Sequence, residues 1–118
     1  MSRYVDGFLI PLPKKNLKTY LRMAKVSAKA WKKHGALEYV ESIADDVSKG
    51  KSTSFPRSVK LKKGETVVFC YAVYKSRAHR DQVMAKVMND KSVTAMWENM
   101  PFDGMRMIWG GFKGIIRR

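Results

Sequence analysis

"ETVVFCYAVY", residues 65–74, is a run of β-branched and aromatic residues with no polar side. In an extended chain, side chains alternate between the two faces of a sheet. Val67, Phe69, Tyr71 and Val73 therefore point one way, and Val68, Cys70, Ala72 and Tyr74 the other. Neither set is built for water, so this strand belongs inside a sheet and needs cover on both faces.

The flanking sequence supplies the rest of a fold. Downstream, Ser76 is placed to cap a helix whose apolar stripe is Val83, Met84, Val87 and Met88. "SVTAMWENM" (92–100) adds a short helical turn, and Asp103-Gly104 turns the chain into a last strand, "MRMIWGGFKGII" (105–116), followed by a basic tail. Upstream, "VSKGKSTSFPRSVKLKKG" (47–64) reads mostly as loop, with room for a short strand near Ser58 to Leu61. "ALEYVESIADD" (36–46) alternates as a strand, with Leu37, Tyr39 and Ile43 on one side and Glu41 breaking that apolar side. From Lys14 to His34 the residues Leu17, Tyr20, Leu21, Ala24, Ala28 and Trp31 fall at helical spacing, and Gly35 suits a left-handed helix end. "RYVDGFLI" (3–10) is a first strand stopped by the prolines of "PLP".

The order β-α-β-β-α-β defines an α+β, ferredoxin-like arrangement: a four-stranded antiparallel sheet with two helices on one face. All 118 residues fit one domain, because a chain of this length with 45% hydrophobic content rarely divides into two cores. Two helices cover one sheet face only, so the other apolar face calls for a second copy of the chain or a ligand. Gly110-Gly111 lies inside the last strand, where missing side chains imply close approach by a backbone, an aromatic ring or a ligand.

Composition narrows the setting. The lone Cys70, inside an apolar run, reads as a buried hydrophobe rather than a reactive thiol. No stretch reaches the roughly 20 apolar residues of a membrane span, and the N-terminus has no secretory pattern. A soluble, cytoplasmic protein is expected. The outlier is a net charge of +14, from 24 basic against 10 acidic residues, which attracts polyanions whatever its purpose.

Four segments, "YVDGFLIPLP", "HGALEYVESIADD", "GKSTSFPRSVKLKKGETVVF" and "MPFDGMRMIWGGF", together span nearly the whole chain. In that order they resemble the uncharacterised YbaA-like family of the dimeric α/β-barrel superfamily. The resemblance implies a ferredoxin-like subunit whose sheet packs against that of a second subunit. Superfamily relatives include cofactor-independent monooxygenases and other small-molecule enzymes as well as stress-response proteins, so the fold alone names no reaction. The chain departs from the family in its charge, and a role common to the family therefore does not rest on the basic surface.

Two sets of residues are candidates for function. In the first helix Lys18, Arg22, Lys25, Lys29 and Lys32 recur at steps of three and four with no acidic residue among them, a stripe an RNA or DNA backbone would relieve. RNA-recognition modules share the element order, but Glu65, Thr66 and Val67 stand where their third strand starts its signature, and dimer packing accounts for Phe69 and Tyr71. Among ionisable residues near strand ends are Asp6, His34, Glu38, Glu41, Arg57, Asp103 and Arg106. His34 and Glu38 face each other across the Gly35 turn as a possible acid-base pair. Arg106 would find Glu38, Glu41 or a ligand carboxylate, and Arg57 is placed as an anion clamp. No metal-ligand spacing, phosphate-binding loop or nucleophile triad is legible, so neither a metal nor a cofactor is expected. The leading expectation is a pocket between sheet and helices, serving small-molecule binding or cofactor-free catalysis, with His34, Glu38, Arg57 and Arg106 as ligand-binding residues. Polyanion binding through the first helix is the alternative.

Overall fold

The computed structural model describes residues 3–118. In chain order, β1 (Tyr4–Pro13) leads through a single 3₁₀ turn (Lys14–Asn16) into α1 (Leu17–Lys33), followed by β2 (Glu38–Ile43) and a one-turn α2 (Phe55–Ser58). Next come β3 (Glu65–Tyr74), α3 (Arg77–Met88), a one-turn α4 (Lys91–Thr94), a second 3₁₀ turn (Met96–Glu98) and β4 (Ile108–Lys113). None of these helices is long and apolar enough to cross a membrane.

Local chemistry sets the boundaries. The Ser76 hydroxyl accepts the His79 backbone N–H at 3.1 Å and starts α3. At the end of α1, Gly35 adopts φ +117° and donates its N–H to Lys32, while Ala36 donates to Trp31. This pair of bonds is the Schellman ending, which uses the orphan carbonyls of the last turn. Leu21, counted in the apolar stripe, lies at its margin and is half exposed.

Two local readings are corrected. The region offered as a short strand, 58–61, instead ends α2 and turns away from it: Ser54 caps the backbone N–H of Arg57 at 3.1 Å and Pro56 occupies the helix's first turn. Proline there lacks only an N–H that would be unpaired anyway, so it starts a helix rather than marking a loop. Nor do the prolines of "PLP" stop β1, which pairs with β3 as far as Pro13. Lys14 donates its N–H to Gly64 on the β3 side, and alternation then turns the nitrogens of Pro11 and Pro13 toward the opposite edge. The β1–β4 register ends at Leu9, so no ladder bond is lost there.

The sheet order is β2-β3-β1-β4, antiparallel throughout. Helices α1, α3 and α4 pack on one face. Ala72 and Tyr74 join Trp31, Val83, Val87 and Val93 in one core cluster, and Val68 and Cys70 join Ile10, Leu12, Tyr20 and Ala24 in another. The indole N–H of Trp31 donates to the buried Tyr74 hydroxyl at 3.1 Å, which pairs these two core polar groups, whereas the buried Asp6 keeps Oδ2 without a hydrogen-bond partner. The opposite face carries Val5, Leu9, Val40, Phe69, Tyr71 and Phe112; the one-turn α2 touches it only at the end where Val67 is buried, and the rest has no helix over it. There Phe69 is 45% and Phe112 66% exposed, with Phe55 of α2 beside them at 55%. Lys113 is the one basic residue within the four strands, and its register with Tyr4 puts it on the helix side.

Of the glycine pair in β4, packing explains Gly111, while a Cβ on Gly110 would meet only Phe112 at an ordinary 3.7 Å. A Cβ on Gly111 would meet the Tyr4 hydroxyl and come within 2.7 Å of the ring, so a packed aromatic requires this glycine. That ring in turn carries the Arg80 guanidinium, 5.0 Å from its centroid. Gly111→Ala is expected to lower the urea midpoint by the equivalent of about 1–3 kcal/mol, the usual overpacking cost. Gly104→Ala, whose added carbon meets nothing within 4 Å, should leave the midpoint almost unchanged.

Candidate functional site

Between the sheet and α1 lies a cavity of about 120 Å³. Helical periodicity brings Tyr20, Ala24, Ser27 and Trp31 of α1 onto its roof, with Met23 at the side. Phe8 and Ile10 of β1 and Cys70 of β3 form part of the floor. The segment from the second 3₁₀ turn to β4 closes it with Trp97, Met100, Phe102 and Met107.

That closing segment is fastened at two places. Asn16 donates through Nδ2 to the Pro101 carbonyl at 2.7 Å. Arg106 meets Glu65 with Nη2 at 2.6 Å and Nη1 at 2.8 Å, and Asp103 with Nε at 2.9 Å. A fork shared between two carboxylates fixes the Asp103–Arg106 turn, so Arg106 positions the wall without lining the cavity. The guanidinium holds both the Glu65 and Asp103 carboxyls below their ordinary range.

The cavity's polar end is Glu41. Its Oε1 accepts the Tyr20 hydroxyl and its Oε2 the Tyr39 hydroxyl, each at 2.7 Å. Tyr39 stands two residues away on the same face of β2, whereas Tyr20 comes from α1, so the arrangement exists only after helix and sheet have packed. Burial first, and then the Glu41 charge, push both phenols far above their ordinary range. They stay protonated and keep donating. The same two causes push the Cys70 thiol up, which leaves it a thiol at neutral pH. Trp31 packs on Tyr39 with ring centroids 5.3 Å apart, and Phe102 meets Tyr20 edge-on at 6.0 Å, so neighbouring aromatics hold both donors.

The four residues expected to share a pocket lie in separate places, and none lines this cavity. His34 places Nε2 2.7 Å from Asp90 Oδ2 rather than against Glu38. Glu38 sits on the uncovered sheet face and accepts the Tyr71 hydroxyl at 3.1 Å. Arg57 donates to the carbonyls of Lys49 at 2.9 Å and Gly50 at 3.1 Å, tying its own loop together. Arg106 takes Glu65 and Asp103 in place of Glu38 or Glu41. Asp6 is buried and pairs with Arg80 at 2.8 Å; burial pushes its carboxyl up, against the Tyr74 hydroxyl and the Arg80 charge. Lys18, Arg22, Lys25, Lys29 and Lys32 are all exposed along α1. Tyr20 and Tyr39 escaped sequence reasoning because they fall on apolar stripes as core residues would. The available signal was Glu41, the one acid interrupting such a stripe. Among the described residues no three His, Cys, Asp or Glu side chains cluster closely enough to hold a metal ion.

Element order, sheet order and one-sided helices define a ferredoxin-like α+β protein. A dimeric ferredoxin-like protein from an uncultured marine organism has the same architecture, with a TM-score of 0.62, 10% identity, and coverage of 100% of this chain and 99% of that one. The chain belongs to the family of proteins of unknown function DUF1428, whose model matches residues 3–104. It is 44% identical over 114 residues to the uncharacterised protein YbaA of Escherichia coli K12 and equally to that of Shigella flexneri, covering 97% of each chain. The resemblance read from the four sequence segments is thereby confirmed.

The His34–Asp90 pair generates a pH prediction. Asp90 is held down to about 2, chiefly by the Ser92 hydroxyl at 2.6 Å and then by His34. A carboxyl depressed on folding stabilises the protein above its unfolded value of about 3.9, and that contribution fades as pH falls toward the folded value. Asp90→Asn should therefore flatten the loss of stability between pH 4 and 2, measured as urea midpoints across that range. An unchanged acid limb would show that the pair adds nothing.

Proposed function

We propose that this chain is a small-molecule-binding protein whose site is the cavity between sheet and α1. The observation that carries this reading is Glu41, a carboxylate fixed by two phenols at the end of an otherwise largely apolar chamber. A carboxylate offers about four acceptor positions, and the tyrosines use two. The Cys70 thiol lies within hydrogen-bonding reach of the same carboxylate; the position left over can take a donor from a ligand, and the aromatic lining supplies the apolar remainder of a binding site. A volume near 120 Å³ suits a single-ring compound, since an apolar cavity of about 150 Å³ takes benzene. Should the bound molecule react, Glu41 is the group on the wall fit to accept its proton. His34, Glu38, Arg57 and Arg106 serve structure in this reading, with Arg106 nearest to function through the wall it fastens.

We further propose that a second copy covers the uncovered sheet face. Its support is the confinement of basic charge: of 24 Lys and Arg residues, none lies on the strand positions of that face. Two chains of charge +14 can approach there with least repulsion. Polyanion binding through Lys18, Arg22, Lys25, Lys29 and Lys32 is the second functional reading, favoured by the absence of any carboxylate in α1. It ranks lower because no aromatic residue alternates with those cations for base stacking.

Ligand-observed NMR with a library of single-ring compounds tests the cavity. Compounds should bind wild-type protein and lose at least tenfold in affinity to Ala24→Leu, which narrows the chamber, while circular dichroism shows that variant folded. Absence of binders, or binding indifferent to Ala24→Leu, would refute the small-molecule reading.

A further inference from the structure

Glu41 is half-buried and lacks the cation that a partly desolvated carboxylate normally has beside it. Among the described residues its carboxylate makes no ion pair, although the chain carries 24 Lys and Arg residues. None of those cations lines the cavity, and neither does a histidine. Tyr20 and Tyr39 donate hydrogen bonds but contribute no positive charge, so the chamber keeps a net negative end. The part of the Glu41 charge turned from water is costly unless paired and hydrogen-bonded. Here the hydrogen bonds are built in and the countercharge is missing.

The rest of the wall matches a positive ligand as well. Phe8, Tyr20, Trp31, Tyr39, Trp97 and Phe102 surround the space, and three methionines, Met23, Met100 and Met107, fill between them. Aromatic rings attract cations through their negative faces, more strongly once water is displaced, and aromatic enclosures commonly recognise ammonium groups. Polarisable thioethers adapt to an irregular guest. An anion would meet Glu41 and a set of ring faces, both repulsive. The surface charge of +14 acts against polyvalent cations approaching the protein, so the arrangement selects a monovalent guest.

We propose that the cavity binds a small organic monocation, an ammonium or amidinium group on a single-ring body, with Glu41 as its counterion. This rests on the small-molecule reading of the same cavity and specifies the ligand's charge. Glu41 and the cation complete a half-buried pair, Tyr20 and Tyr39 keep the carboxylate oriented, and the ring lies against Trp31, Trp97 and Phe102.

Three probes of similar shape and different charge decide it: benzylammonium, benzyl alcohol and benzoate, titrated by calorimetry into the full chain near pH 7. The wild type should bind benzylammonium at least tenfold more tightly than benzyl alcohol and should show no affinity for benzoate. In Glu41→Gln that preference should shrink to within about twofold, with the amide still able to accept a tyrosine hydrogen bond. Equal binding of ammonium and alcohol by the wild type would overturn the cationic assignment and leave the cavity reading intact; this arm needs no variant. A preference that survives in Glu41→Gln would overturn the role of Glu41 as counterion. Failure of all three probes to bind would remove both the assignment and the small-molecule reading.

Discussion

The structure depends on one constraint: β3 is apolar on both sides and lies between β2 and β1, so each side must be covered. The helices meet that demand on one face with Trp31, Val83, Val87 and their neighbours. The demand is what selects a one-sided α+β arrangement and places α1 over Val68 and Cys70. Where α1 passes over β1, β3 and β2 it does not close completely, and the gap left between them is the cavity. Site and core are thus products of the same packing.

Charge is distributed to suit this arrangement. Lysines crowd the outer side of α1 and the loops, while the strands are almost free of basic residues. Two partly buried arginines are committed: Arg80 to Asp6 and Asp81, and Arg106 to Glu65 and Asp103. These pairs lock turns and walls. Glu41 is held differently, by two tyrosine donors on the helix side of the sheet and with no cation beside it, and the proposed function rests on that difference.

The sequence reveals whatever is decided locally. The alternation of β3, the Ser76 cap and the Gly35 helix end follow from neighbouring residues, and the structure has each of them. The prolines of β1 and α2 were misread because their cost depends on facts absent from the local pattern: which edge is vacant beyond Leu9, and whether Ser54 caps a turn. Side-chain pairing is harder still. His34 has Glu38 four residues away yet meets Asp90, 56 positions along the chain, and Arg106 meets Glu65 across 41. Glu41 could be singled out as an interruption in an apolar stripe. Its junction with Tyr20 could not, because that contact forms only when α1 docks on the sheet.

On the proposed assembly both faces of the sheet are closed in the working protein, one by helices and the other by an identical chain. Sedimentation velocity at physiological salt, over a range of micromolar concentrations, measures this directly. The account predicts a species with the mass of two chains. A single-chain mass across the whole range would contradict it, leaving Phe69, Phe112 and Phe55 open to solvent and the two-sided design of β3 without a cause.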